Sequence, residues 1–193
     1  RFQQYLLRSR RPHFSEPVHH EDLECPLCPK DNQDDGESII ECMDGCFGLV
    51  RKKSASTNIC PSRHGLNMFA DQDDVDNFVE NYTNAKSAIV ECNEFKAGEI
   101  TTMLRSKGKN KLYDEKGVFG RVCRHDYPKG FINMKHGERI AYSIYEIQRM
   151  LDKYANTNVG VKISYDIACT LEAHLKKNDR DDILDRVISA IPV

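Results

Sequence analysis

The chain has 193 residues, 39% hydrophobic and 30% charged, with no low-complexity tract. That balance is globular, and one domain is the expected count at this length. The net charge of −2 excludes a uniformly basic nucleic-acid binder, and no apolar run approaches the roughly 18 residues that cross a bilayer.

The first residues, RFQQYLLRSRRPHF, lack a signal-peptide core and a starting Met, so a fragment is expected. Residues 1–14 read as a short helix ending near Pro12 or as a linker carrying Arg8, Arg10 and Arg11. Residues 1–24 are read as an N-terminal extension, with His19 and His20 in an exposed loop. Without a secretory signal, the eight cysteines and seven histidines read as thiols or metal ligands rather than disulfides.

Cys25-Pro-Leu-Cys28 is a CxxC knuckle, a spacing that brings two thiolates to one tetrahedral zinc. A redox CxxC is the other reading, but it lacks the strand before and helix after. Ser38 to Lys53 (SIIECMDGCFGLVRKK) predicts a strand near Ile39–Asp44, a bend at Gly45, and a second strand near Phe47–Lys52. Asp44 then sits at the turn, and Asp-Gly is itself a good hairpin signal. Cys42 and Cys46 are expected on the core face as small buried residues rather than ligands.

Cys60-Pro-Ser-Arg-His64 is a weaker candidate ligand pair in a loop. Val75–Tyr82 predicts a short amphipathic helix. Residues 54–112 read as an insertion over the core, and Leu104–Gly117 as loop. Charge is uneven: Arg105–Arg139 holds ten Lys/Arg against four acids, while Asp71–Glu99 holds eight acids against two lysines. The basic block could face phosphates, or be a solvated surface.

Lys116–His125 (KGVFGRVCRH) predicts a strand carrying Cys123-x-His125, whose alternate residues share one face. With Cys25 and Cys28 this pair completes a Cys3His set, a closed structural zinc site. Phe131–Lys135 predicts another strand. Gly137–Tyr154 predicts a helix with Ile140, Ile144, Ile147 and Leu151 in one stripe, and Tyr142 and Tyr145 as packing residues. SAIPV at the end follows a helical pattern.

Val159–Tyr165 alternates as a half-buried strand and runs into Asp166, which opens a helix bearing Ile167, Leu171 and Leu175 on one face. An Asp there is a well-held metal-binding or catalytic acid, or simply a helix cap. The order strand–Asp44–strand, insertion, strand, helix, strand–Asp166–helix resembles the ribonuclease H-like arrangement. This is an α/β fold, a mixed sheet flanked by helices, here with a zinc-stapled N-terminal part and an insertion. That arrangement sets a carboxylate on the first strand beside one at the end of the fourth, and such a pair can hold divalent ions for phosphoryl transfer.

Five motifs in order, CPLC at 25–28, CMDGCFGLVRKK at 42–53, YDEKGVFGRVCRHD at 113–126, GERIAYSIYEIQRML at 137–151 and YDIACTL at 165–171, resemble the Kyakuja–Dileera–Zisupton (KDZ) transposases. The resemblance spans roughly Cys25 to Ile191. It implies that residues 25–193 are part of a ribonuclease H-like catalytic domain of a DDE-type DNA transposase. The catalytic acids map to Asp44 and Asp166, with Mg2+ or Mn2+ as cofactor. The zinc ligands map to Cys25, Cys28, Cys123 and His125. Asp114 falls in the YDExG motif as a structural or extra polar group. Transposon-end DNA is the implied partner, with homo-oligomers and a nuclear location, and no membrane. Arg51, Lys52, Lys53, Arg121 and Arg124 are the expected phosphate contacts.

Two departures from the family pattern stand out. Cys46 replaces a usual Asn, and the third carboxylate is expected beyond Val193, since Glu172 lies off the helical face of Asp166. The competing reading is an inactive zinc-binding domain, domesticated or decayed, that binds DNA or protein. A cytosolic redox protein using the CxxC is the third.

Overall fold

The structure is a computed structural model that describes residues 25–29, 38–55, 68–82, 112–137, 139–155 and 159–191. The expectations for residues 1–24, for Cys60 and His64, and for most of the insertion lie outside these residues.

A five-stranded mixed sheet organises the chain. Its strands are β1 (Ser38–Cys46), β4 (Gly117–Cys123), β5 (Pro128–Met134), β6 (Gly160–Tyr165) and β7 (Val187–Ala190), in the order β5-β4-β1-β6-β7. β1 is central, antiparallel to β4 and parallel to β6, and β7 runs parallel to β6. A separate two-stranded sheet pairs β2 (Arg51–Lys52) with β3 (Tyr113–Glu115).

Period-two alternation decides which face is buried. Ile39 and Met43 of β1, Phe119 of β4, Ile132 and Met134 of β5, and Val161, Ile163 and Tyr165 of β6 share one core. The helices pack their apolar sides into the same core. α1 (Gln72–Tyr82) contributes Val75 and Val79, and α2 (Ile140–Lys153) contributes Ile144, Ile147, Met150 and Leu151. α3 (Ala168–Lys177) adds Leu171 and Leu175, and α4 (Asp181–Leu184) adds Ile183. α2 has no side-chain cap at Arg139, so its stability comes from this packed stripe rather than from its ends. Tyr142 is buried and its hydroxyl accepts a bond from the His136 amide; the Tyr145 ring tilts against Phe78.

The opposite face of the sheet carries exposed side chains, among them Cys42, Asp44 and Lys162. This corrects the expectation for Cys42 and Cys46. Both are exposed, because the inward positions of β1 are taken by Ile39, Glu41 and Met43. The Asp44-Gly45 turn is corrected as well. Gly45 and Cys46 stay in the ladder opposite Phe119 and Val118, so pairing with a distant strand overrides a local turn preference. The turn comes at Phe47–Gly48 instead. The predicted second strand shrinks to Arg51–Lys52 and pairs with β3, not back onto β1. The end of the chain, read as helical, forms α4 and then β7.

Arg121, expected at a phosphate, is buried beneath the sheet. Its Nη1 donates to Glu41 Oε2 at 2.5 Å and its Nε to Glu146 Oε2 at 2.6 Å. Arg149 reaches the other Glu146 oxygen at 2.7 Å. Both glutamates are fully enclosed, so the network ties β1, β4 and α2 together with its charges matched. Gly130 leaves room beside it, since a Cβ there would lie 3.2 Å from Glu146 Oε2 and 3.3 Å from Arg121 Nη2 and would press on the network. Replacing Arg121 with Met leaves Glu41 buried without a cation and Glu146 with Arg149 alone, an expected loss of about 3–5 kcal/mol. Urea unfolding of Arg121→Met against the wild type measures it.

Two candidate metal centres

The first centre is a pair of carboxylates on neighbouring parallel strands. Met43 of β1 is the register partner of Tyr165 of β6. Asp44 and Asp166 each follow by one residue, Asp44 still on β1 and Asp166 in the turn that ends β6, near enough for the charge of Asp44 to act on Asp166. Both are exposed, and both alternate with buried neighbours, Met43 and Tyr165. The Gly45 amide donates to Asp44 Oδ1 at 2.6 Å, which fixes that side chain.

Asp166 does not cap a helix. It sits in a two-residue turn with Ile167, and Ile167 takes the cap position of α3 without a side-chain bond. Partial burial raises the Asp166 pKa, the negative charge of Asp44 raises it further, and backbone amides at Ile167 and Asp166 oppose the rise only in part. Two acids that repel each other on rigid neighbouring strands are stabilised by a cation between them.

That sets a pH dependence. A carboxyl whose folded pKa is raised binds its proton more tightly in the native chain than in the unfolded one. Its contribution to stability is present at low pH and is lost as pH rises through the ordinary carboxylate range to the raised value. A divalent ion held by the pair would run the other way, its binding weakening as pH falls through the raised Asp166 pKa. Isothermal titration with Mn2+ across acid to neutral pH should show affinity falling at a higher pH than an unperturbed carboxylate would give.

The second centre gathers Cys25, Cys28, Cys123 and His125, whose ligand atoms all lie within 4.8 Å of one another. His125 Nδ1 is 3.6 Å from Cys25 Sγ and 3.7 Å from both Cys28 Sγ and Cys123 Sγ. A tetrahedral zinc with its usual ligand bonds of about 2.3 Å to sulfur and 2.0 Å to nitrogen separates S from N by roughly 3.5 Å. The donor set and its spacing therefore fit zinc.

The cysteines and the histidine converge differently from expectation. Cys123 closes β4, but His125 lies in the β4–β5 turn and not on the strand. The turn is tight. Asp126 takes a φ of 58°, and its amide bonds the Cys123 carbonyl at 2.9 Å, folding His125 back toward the sulfurs.

Burial and the Cys123 sulfur push the Cys28 thiol up to about 12. Burial also opposes ionisation of Cys25, but the Leu27 amide and neighbouring thiols outweigh it and hold that thiol low. Zinc held by this cluster would therefore displace protons, as at thiolate sites generally.

Arg51 pairs with Asp114 at 2.8 Å and with Glu115 at 2.7 Å, so Asp114 pins the small sheet and the Arg51 charge is matched. Lys52 and Lys53 are exposed, as is Arg124, whose Nε lies 3.2 Å from His125 Nε2. Glu172 pairs with Lys176 at 2.7 Å on the surface of α3. Among the described residues, the one group of three or more potential metal ligands is the cysteine–histidine cluster, so no third ligand joins the acid pair there.

Glu41 and Glu146 went unremarked in the sequence. The signal was present: Glu41 sits between Ile39 and Met43 at core-facing positions, and a buried carboxylate needs a cation.

Fold and sites together define a mixed α/β domain with an acid pair on two neighbouring inner strands of its sheet and a separate cysteine–histidine cluster suited to zinc. The family model of the Kyakuja-Dileera-Zisupton transposases matches residues 37–192, and the chain belongs to that family. The matched region contains both acids, Cys123 and His125, while Cys25 and Cys28 lie just before it. No curated protein and no solved structure gives a significant match to the chain.

Proposed function

We propose that this chain is the catalytic region of a DDE-type DNA transposase on a ribonuclease H-like sheet, cutting and joining DNA strands with divalent ions. The observation that carries this is the placement of Asp44 on the first strand of the five-stranded sheet beside Asp166 at the end of the fourth. That is the juxtaposition a ribonuclease H-like arrangement would make. Membership of the KDZ family supports DNA as substrate, and with it a nuclear location. Among the described residues no helix is long and apolar enough to cross a membrane.

In this reading the two carboxylates hold Mg2+ or Mn2+ at the scissile phosphate. The bound ions would stabilise charge on the attacking and leaving oxygens. Asp44 and Asp166 contribute position and negative charge. β1 and β6 fix their separation, and the Gly45 and Ile167 amides orient them. Zinc on Cys25, Cys28, Cys123 and His125 is structural, because four protein ligands leave no open position. The proposed domain is 25–193, with its third acid supplied from elsewhere in the protein.

The test is nicking of a supercoiled plasmid in Mn2+ by the full-length protein, with and without Asp44→Asn. Nicking that needs Asp44 supports the reading. Nicking that is equal in both proteins, or absent in both, refutes it. A second reading, a zinc-stapled domain that binds DNA or protein without cutting it, is favoured by the lack of a third ligand beside the acid pair among the described residues. It predicts DNA binding with no Asp44-dependent nicking.

A further inference from the structure

The open face of the sheet carries little negative charge apart from the acid pair. Within the five strands the carboxylates are Glu41, which is buried, and Asp44; Asp166 follows β6. Exposed acids lie instead on the helices, including Asp73 and Asp74 of α1 and Asp181 and Asp182 of α4. Such segregation gives the domain one face that attracts polyanions and one that repels them.

Two exposed cations stand on the attracting side at the same height. Lys162 alternates with buried Val161 and Ile163 on β6, and its register partner on β1 is Ile40. On the other side of β1, the Arg124 amide donates to the Ile40 carbonyl at 3.0 Å. Arg124 and Lys162 therefore straddle Ile40, two strand spacings or roughly 10 Å apart at the backbone. Among the described residues neither pairs with a carboxylate; the contact of Arg124 is the His125 ring.

Ile40 precedes Asp44, and Lys162 precedes Asp166, by the same four positions. Four residues of extended strand span roughly 13 Å. Phosphates along one strand of B-DNA advance by about 3.4 Å of helix rise and wind about the axis as they do, so this distance spans no more than a few nucleotides.

We propose that Arg124 and Lys162 form a paired grip on the DNA backbone, holding phosphates within a few nucleotides of the one at Asp44 and Asp166. The proposal rests on the DNA-processing reading and adds to it a binding face and Lys162 as a positioning residue. Lys162 is not among the basic residues singled out by the motifs. Its place emerges only from the register of β6 on β1.

The test is binding of a short fluorescent duplex by the zinc-loaded protein in Ca2+, followed by anisotropy over a range of salt. Lys162→Ala and Arg124→Ala are each expected to raise Kd about 5- to 10-fold and to lower the salt slope by about one, as for a lost phosphate contact. Lys162→Arg should restore both. Lys176→Ala, on the helical side, should leave both unchanged. Zinc content and melting temperature confirm that each variant is folded; Lys162→Ala, remote from the zinc ligands, carries the test if Arg124→Ala disturbs the cluster.

Unchanged Kd and slope in Lys162→Ala overturn the grip. So does a wild type that nicks plasmid through Asp44 yet binds duplex with no dependence on Lys162, and in that case the catalytic reading survives. If the wild type neither binds duplex nor nicks plasmid, both fall.

Discussion

Cys123→Ser should strip the chain of stoichiometric zinc and lower its melting temperature by about 6–12 °C, taking a loss of about 3 kcal/mol at 2–4 °C per kcal/mol. The ligands come from two places far apart in sequence, the 25–28 knuckle and the β4–β5 hairpin. A metal there closes a long loop, and its binding energy is felt as folding energy, about 10–16 kcal/mol in isolated finger peptides. Only part of that is expected here, because the sheet and its helices share a hydrophobic core that does not include the cluster. His125→Ala should behave in the same way. Zinc content by atomic absorption, read beside thermal unfolding, checks both. A wild type purified without zinc, or a Cys123→Ser variant with a full complement, would contradict the assignment.

Asp44→Asn and Asp166→Asn should each reduce Mn2+-dependent nicking by at least about 10³-fold, the equivalent of roughly 4 kcal/mol of transition-state stabilisation. The fold should survive both changes. The two side chains are exposed and engage chiefly backbone amides. The metal-free protein should even gain slightly at neutral pH, because Asp166 is held above its ordinary pKa by burial and by Asp44. Removing one charge relieves that repulsion, as the linkage sign requires. Lost nicking with unchanged or raised melting temperature is the signature of a functional site held at some cost to stability. A variant that loses nicking only in proportion to its unfolding would argue that the acids are structural.

Much of this was legible in the sequence, for a physical reason. Alternation and helical spacing report burial directly, so β1, β4, β6, α1 and α2 and the stripe from Ile144 to Leu151 could be read from residue types alone. Both acids and all four candidate zinc ligands carry motif spacing that survives without coordinates.

What could not be read depended on partners distant in the chain. The Asp44-Gly45 pair looks like a turn until β4 is laid beside it. Cys42 and Cys46 look like core residues until Glu41 is known to occupy the inward position. Arg121 belongs to a basic stretch by sequence and to a buried ion network by topology, since its partners Glu41 and Glu146 lie on β1 and α2. β7 is short and sits at the sheet edge with exposed Ile188, so its pattern is weak without β6 next to it.

The central claim is that Asp44 and Asp166 together hold a divalent ion. Iron-directed cleavage of the protein tests it most directly. Fe2+ is loaded in place of Mg2+, and ascorbate with peroxide generates hydroxyl radicals that cut the backbone at the bound ion. The account predicts cuts near both Asp44 and Asp166, suppressed by excess Mg2+ or Mn2+ and absent in Asp44→Asn. Cuts confined to the region of Cys123 and His125, or cuts near Asp166 that persist unchanged in Asp44→Asn, would contradict it.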